Sequence, residues 1–117
     1  MIEDIVKNDS NLTDFRKKVY QALLTVPKGN VVAYAMLGKM LDCKCAQAIG
    51  QALKNNPYAP DVPCHRVIRS DLTIGGFHGK TSGKYIQRKL NLLAKEGVAF
   101  DEKMKLINTD NLLLKYF

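Results

Sequence analysis

Cys64, His65 and Arg66 follow Pro63 directly, so a thiol, an imidazole and a guanidinium are adjacent behind a rigid residue. A cysteine is a strong nucleophile only as its thiolate, and a neighbouring base or cation favours that form. An isolated Cys-His pair is more often an ordinary buried cysteine beside a surface histidine. The pair therefore indicates nucleophilic chemistry only if the rest of the chain provides a setting for it.

Three further motifs surround this segment. Asn55-Asn56-Pro57 precedes Val62-Pro63-Cys64-His65-Arg66-Val67, and Gly75-Gly76-Phe77 and Lys95-Glu96-Gly97 follow it. In that order and spacing the chain resembles the DNA-binding, cysteine-bearing domain of the O6-alkylguanine-DNA alkyltransferases, the methylated-DNA-protein-cysteine methyltransferases. The resemblance runs from about Phe15 to the C-terminus.

The resemblance implies a stoichiometric DNA-repair reaction on double-stranded DNA. The thiolate of Cys64 would attack the alkyl carbon on O6 of a damaged guanine, with O4-alkylthymine as a second candidate substrate. A thioether is a poor leaving group, so the sulfur keeps the alkyl group and each molecule acts once. The reaction needs a deprotonated sulfur, a proton donor for the departing base and a dry pocket for a flipped nucleotide. No cofactor or metal is expected.

The resemblance also implies roles for other residues. His65 would take the proton of Cys64 through a water, and Glu96 would orient His65 and stabilise the imidazolium. Tyr34 would donate a proton to the leaving guanine, and Asn56 would brace the turn that carries the cysteine. Each has an ordinary alternative: a surface acid at a helix end for Glu96, a core tyrosine for Tyr34 and an Asn-Pro turn for Asn56.

A base pocket and a DNA-reading surface are predicted on the same basis. The pocket residues are Phe77, His78, Val62 and Pro63, and the DNA contacts are Gln47, Lys44, Gln51, Lys54 and Arg66. Phe77 stands where the family often has tyrosine, so it would stack on the base without donating a hydrogen bond. Gln47 replaces the arginine that usually enters the base stack, and glutamine has less reach and no charge.

Apolar spacing predicts the elements that must position these residues. Thr13 is an N-cap for a helix that ends at 27–29, 31–33 is extended, and two short helices over 34–41 and 45–54 form a helix-turn-helix. The second of these has an apolar face made by Ala48, Ile49, Ala52 and Leu53. Paired short helices are often only core packing, but the nearby Cys-His motif favours DNA reading.

The second half of the chain is predicted to be richer in loops. Val67-Ile68 forms a short strand, a glycine-rich loop over 75–83 forms a pocket wall, and 82–95 forms an amphipathic helix that ends at Gly97. The tail over 100–117 packs on the body. The predicted fold class is mainly α: a winged-helix-like three-helix DNA-binding core with a helix-turn-helix, one or two short strands and a longer C-terminal helix.

Composition agrees with a small DNA-binding domain. The 117 residues suffice for one packed core, so 1–117 is predicted as a single domain, with 1–12 loosely held and the family's N-terminal domain absent. The net charge of +7, from 18 Lys and Arg against 11 Asp and Glu, favours a polyanionic partner. A monomer is expected.

The three cysteines, with no signal segment and no long apolar run, predict a reducing compartment and no membrane association. The expected location is the cytoplasm, with the nucleoid, or the nucleus in a eukaryote. All three thiols are expected to be free. Cys43 and Cys45 could supply half of a zinc site, but no other ligands are evident.

Three other functions remain open. An alkyltransferase-like protein would recognise alkylated DNA without repairing it, but such proteins typically replace the acceptor cysteine. A helix-turn-helix regulator would have no use for Cys64, His65 and Glu96 together. A cysteine hydrolase would turn over repeatedly and would not need DNA.

Overall fold

The computed structural model describes residues 1–43, 45–78, 80 and 83–113. The helices in these residues are α1 (Ile2–Asn8), α2 (Asp14–Leu24), α3 (Tyr34–Met40), α4 (Ala46–Lys54) and α5 (Lys84–Lys95). Two short strands, β1 (Val32–Ala33) and β2 (Val67–Ile68), pair in parallel, and 3-10 turns lie at Cys64–Arg66 and Thr109–Asn111. The predicted mainly α fold with a helix-turn-helix is confirmed.

Helix α2 begins where its N-cap predicts. The Thr13 hydroxyl accepts a hydrogen bond from the Arg16 amide at 3.1 Å, which satisfies one of the free N–H groups of the first turn. Tyr20 is fully buried, and its hydroxyl donates to the Ala52 carbonyl of α4 at 2.7 Å. This bond joins the first long helix to the second helix of the helix-turn-helix.

Helix α1 covers residues for which no element was predicted and which were expected to be loosely held. It packs on α2 and buries Val6 completely, while the Tyr58 hydroxyl donates to the Asp9 carboxylate just after its end. A helix of seven residues is marginal in isolation, so its stability comes from this packing.

The helix-turn-helix consists of α3, α4 and the turn over 41–45. In this turn the Cys43 amide donates to the Gly38 carbonyl at 2.9 Å, and the Cys45 amide donates to Cys43 Sγ at 3.0 Å. The expectation of free thiols stays a prediction for Cys43 and Cys45, whose Cα atoms lie 5.4 Å apart, while Cys64 is free and buried. Lys44, predicted to contact DNA, lies outside the described residues.

One side of α4 packs on the core and the other faces solvent. Ile49 and Ala52 are buried, and Leu53 is half-buried. Ala48, which was predicted on the apolar face, is exposed. The buried stripe is therefore narrower than the sequence pattern predicted, and a wider strip of α4 faces solvent.

The parallel pair β1–β2 connects the two halves of the chain. Val32 pairs with Val67 and Ala33 with Ile68. Tyr34 follows β1 directly, and the turn Cys64–Arg66 precedes β2 directly. Two residues that are 30 positions apart, Tyr34 and Cys64, therefore start from adjacent points of one small sheet.

The C-terminal half closes the core. Helix α5 begins at Lys84 and buries Ile86 and Leu93. Its predicted start, Ser82, lies outside the described residues. The described part of the tail, residues 100–113, packs on the body: the Leu113 amide donates to the Val31 carbonyl at 2.8 Å, and Leu106 is buried. Residues 114–117 of the predicted tail lie outside the described residues. Within the described residues, every helix is too short or too polar to span a membrane.

Candidate active site

Cys64 lies at the wall of a cavity of about 270 Å³. It is the first residue of the 3-10 turn after Pro63, its side chain is 6% exposed, and its amide donates to the Val62 carbonyl at 2.8 Å. Burial raises the pKa of the Cys64 thiol, while Asn56 and the ammonium of Lys89 act in the opposite direction. Burial therefore disfavours the thiolate of Cys64, and neighbouring groups must stabilise its negative charge.

His65 is paired with Glu96, which follows the last residue of α5. His65 Nε2 lies 3.0 Å from Glu96 Oε2, and the imidazole is only 2% exposed. Burial lowers the pKa of His65, although Glu96 opposes that shift. The other ring nitrogen, Nδ1, is buried and has no hydrogen-bond partner in the described part of the chain. A neutral His65 that donates Nε2–H to Glu96 would leave Nδ1 with a free lone pair.

Arg66 points inward and binds the same carboxylate. Its Nε donates to Glu96 Oε1 and its Nη2 to Glu96 Oε2, both at 2.9 Å, and its Nη1 donates to the Val26 carbonyl at 2.8 Å. Burial of Glu96 disfavours its charge, but Arg66 and His65 outweigh that effect, so the pKa of Glu96 is lowered. Because the guanidinium of Arg66 is bound to Glu96 and Val26, it is not available to contact DNA as predicted.

Asn56 braces the turn that leads to the cysteine. Its side-chain amide donates to the Val62 carbonyl at 2.9 Å, and its Oδ1 accepts from the Tyr58 amide at 2.9 Å. Asn56 is 6% exposed, so both bonds form in a largely water-free environment. They fix the segment two residues before Cys64.

Tyr34 lines the same cavity as Cys64. Its hydroxyl donates to the Ala46 carbonyl at the start of α4, and burial raises the pKa of the phenol, so it keeps its proton at neutral pH. A Cβ atom at Gly50 would lie 3.1 Å from the Tyr34 hydroxyl oxygen. The absence of a side chain at position 50 thus makes room for the phenol.

The predicted pocket residues separate into two groups. Phe77 and His78 line the cavity, and their ring centroids lie 4.3 Å apart. Val62 and Pro63 are buried and do not line the cavity.

The predicted DNA contacts on α4 lie on its solvent face. Lys54 lines the cavity, while Gln47 and Gln51 are exposed and border a separate shallow depression. The residues predicted to read DNA and those predicted to do the chemistry therefore meet at α4, whose Gly50 and Leu53 also line the cavity.

Sequence reasoning missed Lys89 in the cavity wall. This lysine is 1% exposed and lies on the buried side of α5, three residues after Ile86 and four before Leu93. That spacing placed it on the apolar stripe and was a signal available in the sequence.

No group of three or more potential His, Cys, Asp or Glu metal ligands occurs among residues 1–43, 45–78, 80 and 83–113.

Comparisons with known proteins agree on one family. A family model described as "6-O-methylguanine DNA methyltransferase, DNA binding domain" matches residues 14–98. The methylated-DNA-protein-cysteine methyltransferase of Thermococcus sibiricus is 46% identical over 87 residues, which are 74% of this chain and 46% of that protein. The Escherichia coli K12 protein named "Bifunctional transcriptional activator/DNA repair enzyme Ada" is 38% identical over 72% of this chain and 23% of its own length.

Two solved structures are similar in fold. Mycobacterium tuberculosis OGT in complex with DNA has a TM-score of 0.66 and 38% identity, over 74% of this chain and 50% of that chain. Schizosaccharomyces pombe Atl1, in complex with damaged DNA containing O6-carboxymethylguanine, has a TM-score of 0.71 and 27% identity, over 88% of this chain and 97% of that chain. This chain thus spans about half the length of the curated methyltransferases that it matches.

Proposed function

Because the chain belongs to the O6-methylguanine-DNA methyltransferase family, we propose that it repairs O6-alkylguanine in double-stranded DNA by moving the alkyl group to Cys64. The observation that carries this proposal is the free, buried Cys64 at a cavity wall, next in sequence to an imidazole that is paired with Glu96. A regulator that only binds DNA would have no need for this arrangement.

The transfer is a direct displacement at the alkyl carbon. Cys64 gives its proton to Nδ1 of His65 through a water, and the resulting imidazolium is stabilised by Glu96. The thiolate then forms an S–C bond while the C–O6 bond breaks, and the electron pair of that bond passes to the guanine. The guanine takes a proton from Tyr34, whose raised pKa keeps the phenol protonated until that step.

The cavity suits a flipped base. Phe77 offers a ring for stacking, and Cys64, which is only 6% exposed, has little contact with bulk water. The exposed face of α4, with Gln47, Gln51 and Lys54, would contact the DNA beside the flipped nucleotide. We also propose that the protein acts as a monomer. Its place of action would be the compartment that contains the DNA: the cytoplasm with the nucleoid, or the nucleus in a eukaryote.

Intact-mass measurement after mixing with an O6-methylguanine duplex tests this function. We expect one added methyl group per molecule, mapped to the Cys64 peptide, with Cys43 and Cys45 unmodified. The Cys64→Ser variant should gain none. Turnover beyond one equivalent, or methylation that survives Cys64→Ser, would exclude the proposed reaction.

A second candidate function is damage recognition without repair. The observation behind it is the likeness to Atl1, which has a TM-score of 0.71 over 88% of this chain. The free Cys64 argues for transfer. If the duplex binds tightly and no mass is gained, the damage-recognition function replaces the repair function.

A further inference from the structure

Lys89 is a buried charged residue that the repair mechanism does not use. Its Nζ donates to the carbonyl oxygens of Val67 at 2.7 Å, Ile74 at 2.5 Å and Gly76 at 3.0 Å. An ammonium group has three N–H donors and no acceptor, so these three bonds use all of its capacity. A neutral amine has only two N–H groups and would leave one carbonyl without a donor.

The three carbonyls come from two separate walls of the cavity. Val67 belongs to β2, directly after the turn that carries Cys64, whereas Ile74 and Gly76 belong to the loop that leads to Phe77. Val67 and Gly76 line the same cavity as Cys64 and Lys89. One ammonium group therefore holds residues 74–77, which we call the Phe77 loop, against β2.

The charge of Lys89 depends on its neighbours. The pKa of Lys89 is lowered from 10.5 to about 7; burial is the main cause, Cys64 opposes the shift, and Arg69 adds to it. Conversely, Lys89 lowers the pKa of Cys64, and it also opposes protonation of His65. Cys64, His65 and Arg69 all belong to residues 64–69. Two further titratable side chains line the same cavity: Tyr34 of α3, and His78, which follows Phe77.

We propose that Lys89 is a positioning residue whose ammonium holds the Phe77 loop to β2 and, from the cavity wall, stabilises the thiolate of Cys64. The proposal deepens the repair function, since it explains how a cysteine in a dry site can be ionised. Arg66, the cation next to the Cys64-His65 pair in sequence, is bound to Glu96. Lys89 supplies the positive charge on the cavity side instead.

Alkylation of Cys64 by iodoacetamide tests the proposal without DNA. The rate is measured from pH 5.5 to 9.5 by mass spectrometry of the Cys64 peptide, for the wild type, Lys89→Met and the control Arg88→Met. Arg88 is the exposed neighbour of Lys89 on α5, so its variant removes the same charge from the surface. For Lys89→Met we expect the rate at pH 7 to fall about tenfold, which corresponds to a rise of one pKa unit. Arg88→Met should follow the wild-type profile.

A wild-type profile in Lys89→Met would overturn the proposal. A second measurement is independent of whether that variant folds: the pH titration of Lys89 by NMR in protein with labelled lysine side chains, for the wild type and Cys64→Ala. Coupling between two titrating groups is reciprocal, so Lys89 should lose its proton at a lower pH in Cys64→Ala. Equal midpoints would also overturn the proposal.

The two proposals fail separately. A protein with the expected iodoacetamide and NMR profiles that gains no methyl group from damaged DNA would lose the repair function and keep the role of Lys89. A protein that repairs DNA but shows no coupling would lose only the role of Lys89.

Discussion

His65 Nε2 and Arg66 Nη2 both bind one oxygen of Glu96, at 3.0 and 2.9 Å. The single carboxylate thus orients the base of the proposed mechanism and also neutralises a largely buried guanidinium. Its two roles cannot be separated by removing it, because the loss of Glu96 would leave Arg66 without its charge partner.

Glu96→Gln should therefore affect both rate and stability. We expect the single-turnover rate on an O6-methylguanine duplex to fall by about a hundredfold or more, because His65 loses the group that stabilises its imidazolium. The free energy of unfolding in urea should fall by about 3 kcal/mol, since a buried ion pair loses one member. The exposed Glu102→Gln is the control and should change neither quantity. An unchanged rate in Glu96→Gln would show that another group activates Cys64.

Stability should depend on pH through His65. Burial lowers its pKa in the folded state, while in the unfolded chain the pKa returns to about 6.5. The unfolded state then binds more protons than the folded state, so this contribution to stability is present above about pH 6.5 and is lost as the pH falls through the folded-state pKa. Urea unfolding from pH 8 to 5 should show this fall in the wild type and in His78→Asn, but a smaller one in His65→Asn. Parallel curves for all three proteins would contradict the assignment to His65.

Gly50→Ala should displace the Tyr34 phenol. The new methyl group would lie 3.1 Å from its hydroxyl oxygen, so the ring must shift from the place where it would protonate the guanine. We expect the single-turnover rate to fall by about tenfold to a hundredfold. In a Tyr34→Phe background the same substitution should have little further effect. Equal losses in both backgrounds would mean that Gly50→Ala acts on something other than the phenol.

Gln47→Arg should improve repair of duplex DNA. A planar cation at the solvent face of α4 would stack on the bases next to the flipped nucleotide, and a gain of about 1 kcal/mol corresponds to about fivefold in affinity and in single-turnover rate. Gln47→Lys adds the charge without the planar group, so it should raise affinity but not the rate, and Gln47→Ala should lower the rate. Reaction with free O6-benzylguanine, which needs no flipping, should stay the same in all three. If Gln47→Arg and Gln47→Ala both react with duplex at the wild-type rate, the flipping residue lies elsewhere, such as Gln51.

DNA affinity should be governed by salt and not by sequence. With a net charge of +7, binding is expected to release counterions, with a slope of about −0.9 per phosphate contacted on a log-log plot of affinity against salt. Fluorescence anisotropy with several undamaged duplexes measures both dependences. Strong preference for one undamaged sequence would favour a regulator.

The sequence predicted the long helices because their signals are local. Thr13 is an N-cap and the apolar residues of α2 recur at helical spacing, and both features are seen in the structure. Helix α1 gave no such signal, since it depends on the burial of Val6 against other elements. The hydrogen bond from the Cys45 amide to Cys43 Sγ depends on how the turn between α3 and α4 folds back, which no spacing rule specifies.

The site was only partly readable for a similar reason. The resemblance implied that Glu96 orients His65, and in the structure His65 Nε2 lies 3.0 Å from Glu96 Oε2. The direction of a side chain is a different matter: Arg66 was predicted to face DNA, but its guanidinium turns inward to Glu96 and Val26. Lys89 was overlooked because a lysine on an amphipathic helix is normally assigned to the solvent side.

The two-residue pairing of β1 with β2 determines where the chain tolerates changes in length. An extra residue between Ala33 and Tyr34, or between Arg66 and Val67, would rotate the phenol or the nucleophile away from the cavity, because side chains alternate along a strand. The turn over 70–73 is bound as well: the Ser70 hydroxyl accepts a hydrogen bond from the Ala35 amide at 3.1 Å, and the Leu72 carbonyl accepts one from the Leu106 amide at 2.9 Å. Loop grafting at this end of the sheet would therefore disturb the start of α3 and the C-terminal segment, so the turn and the strand junctions alike should keep their lengths.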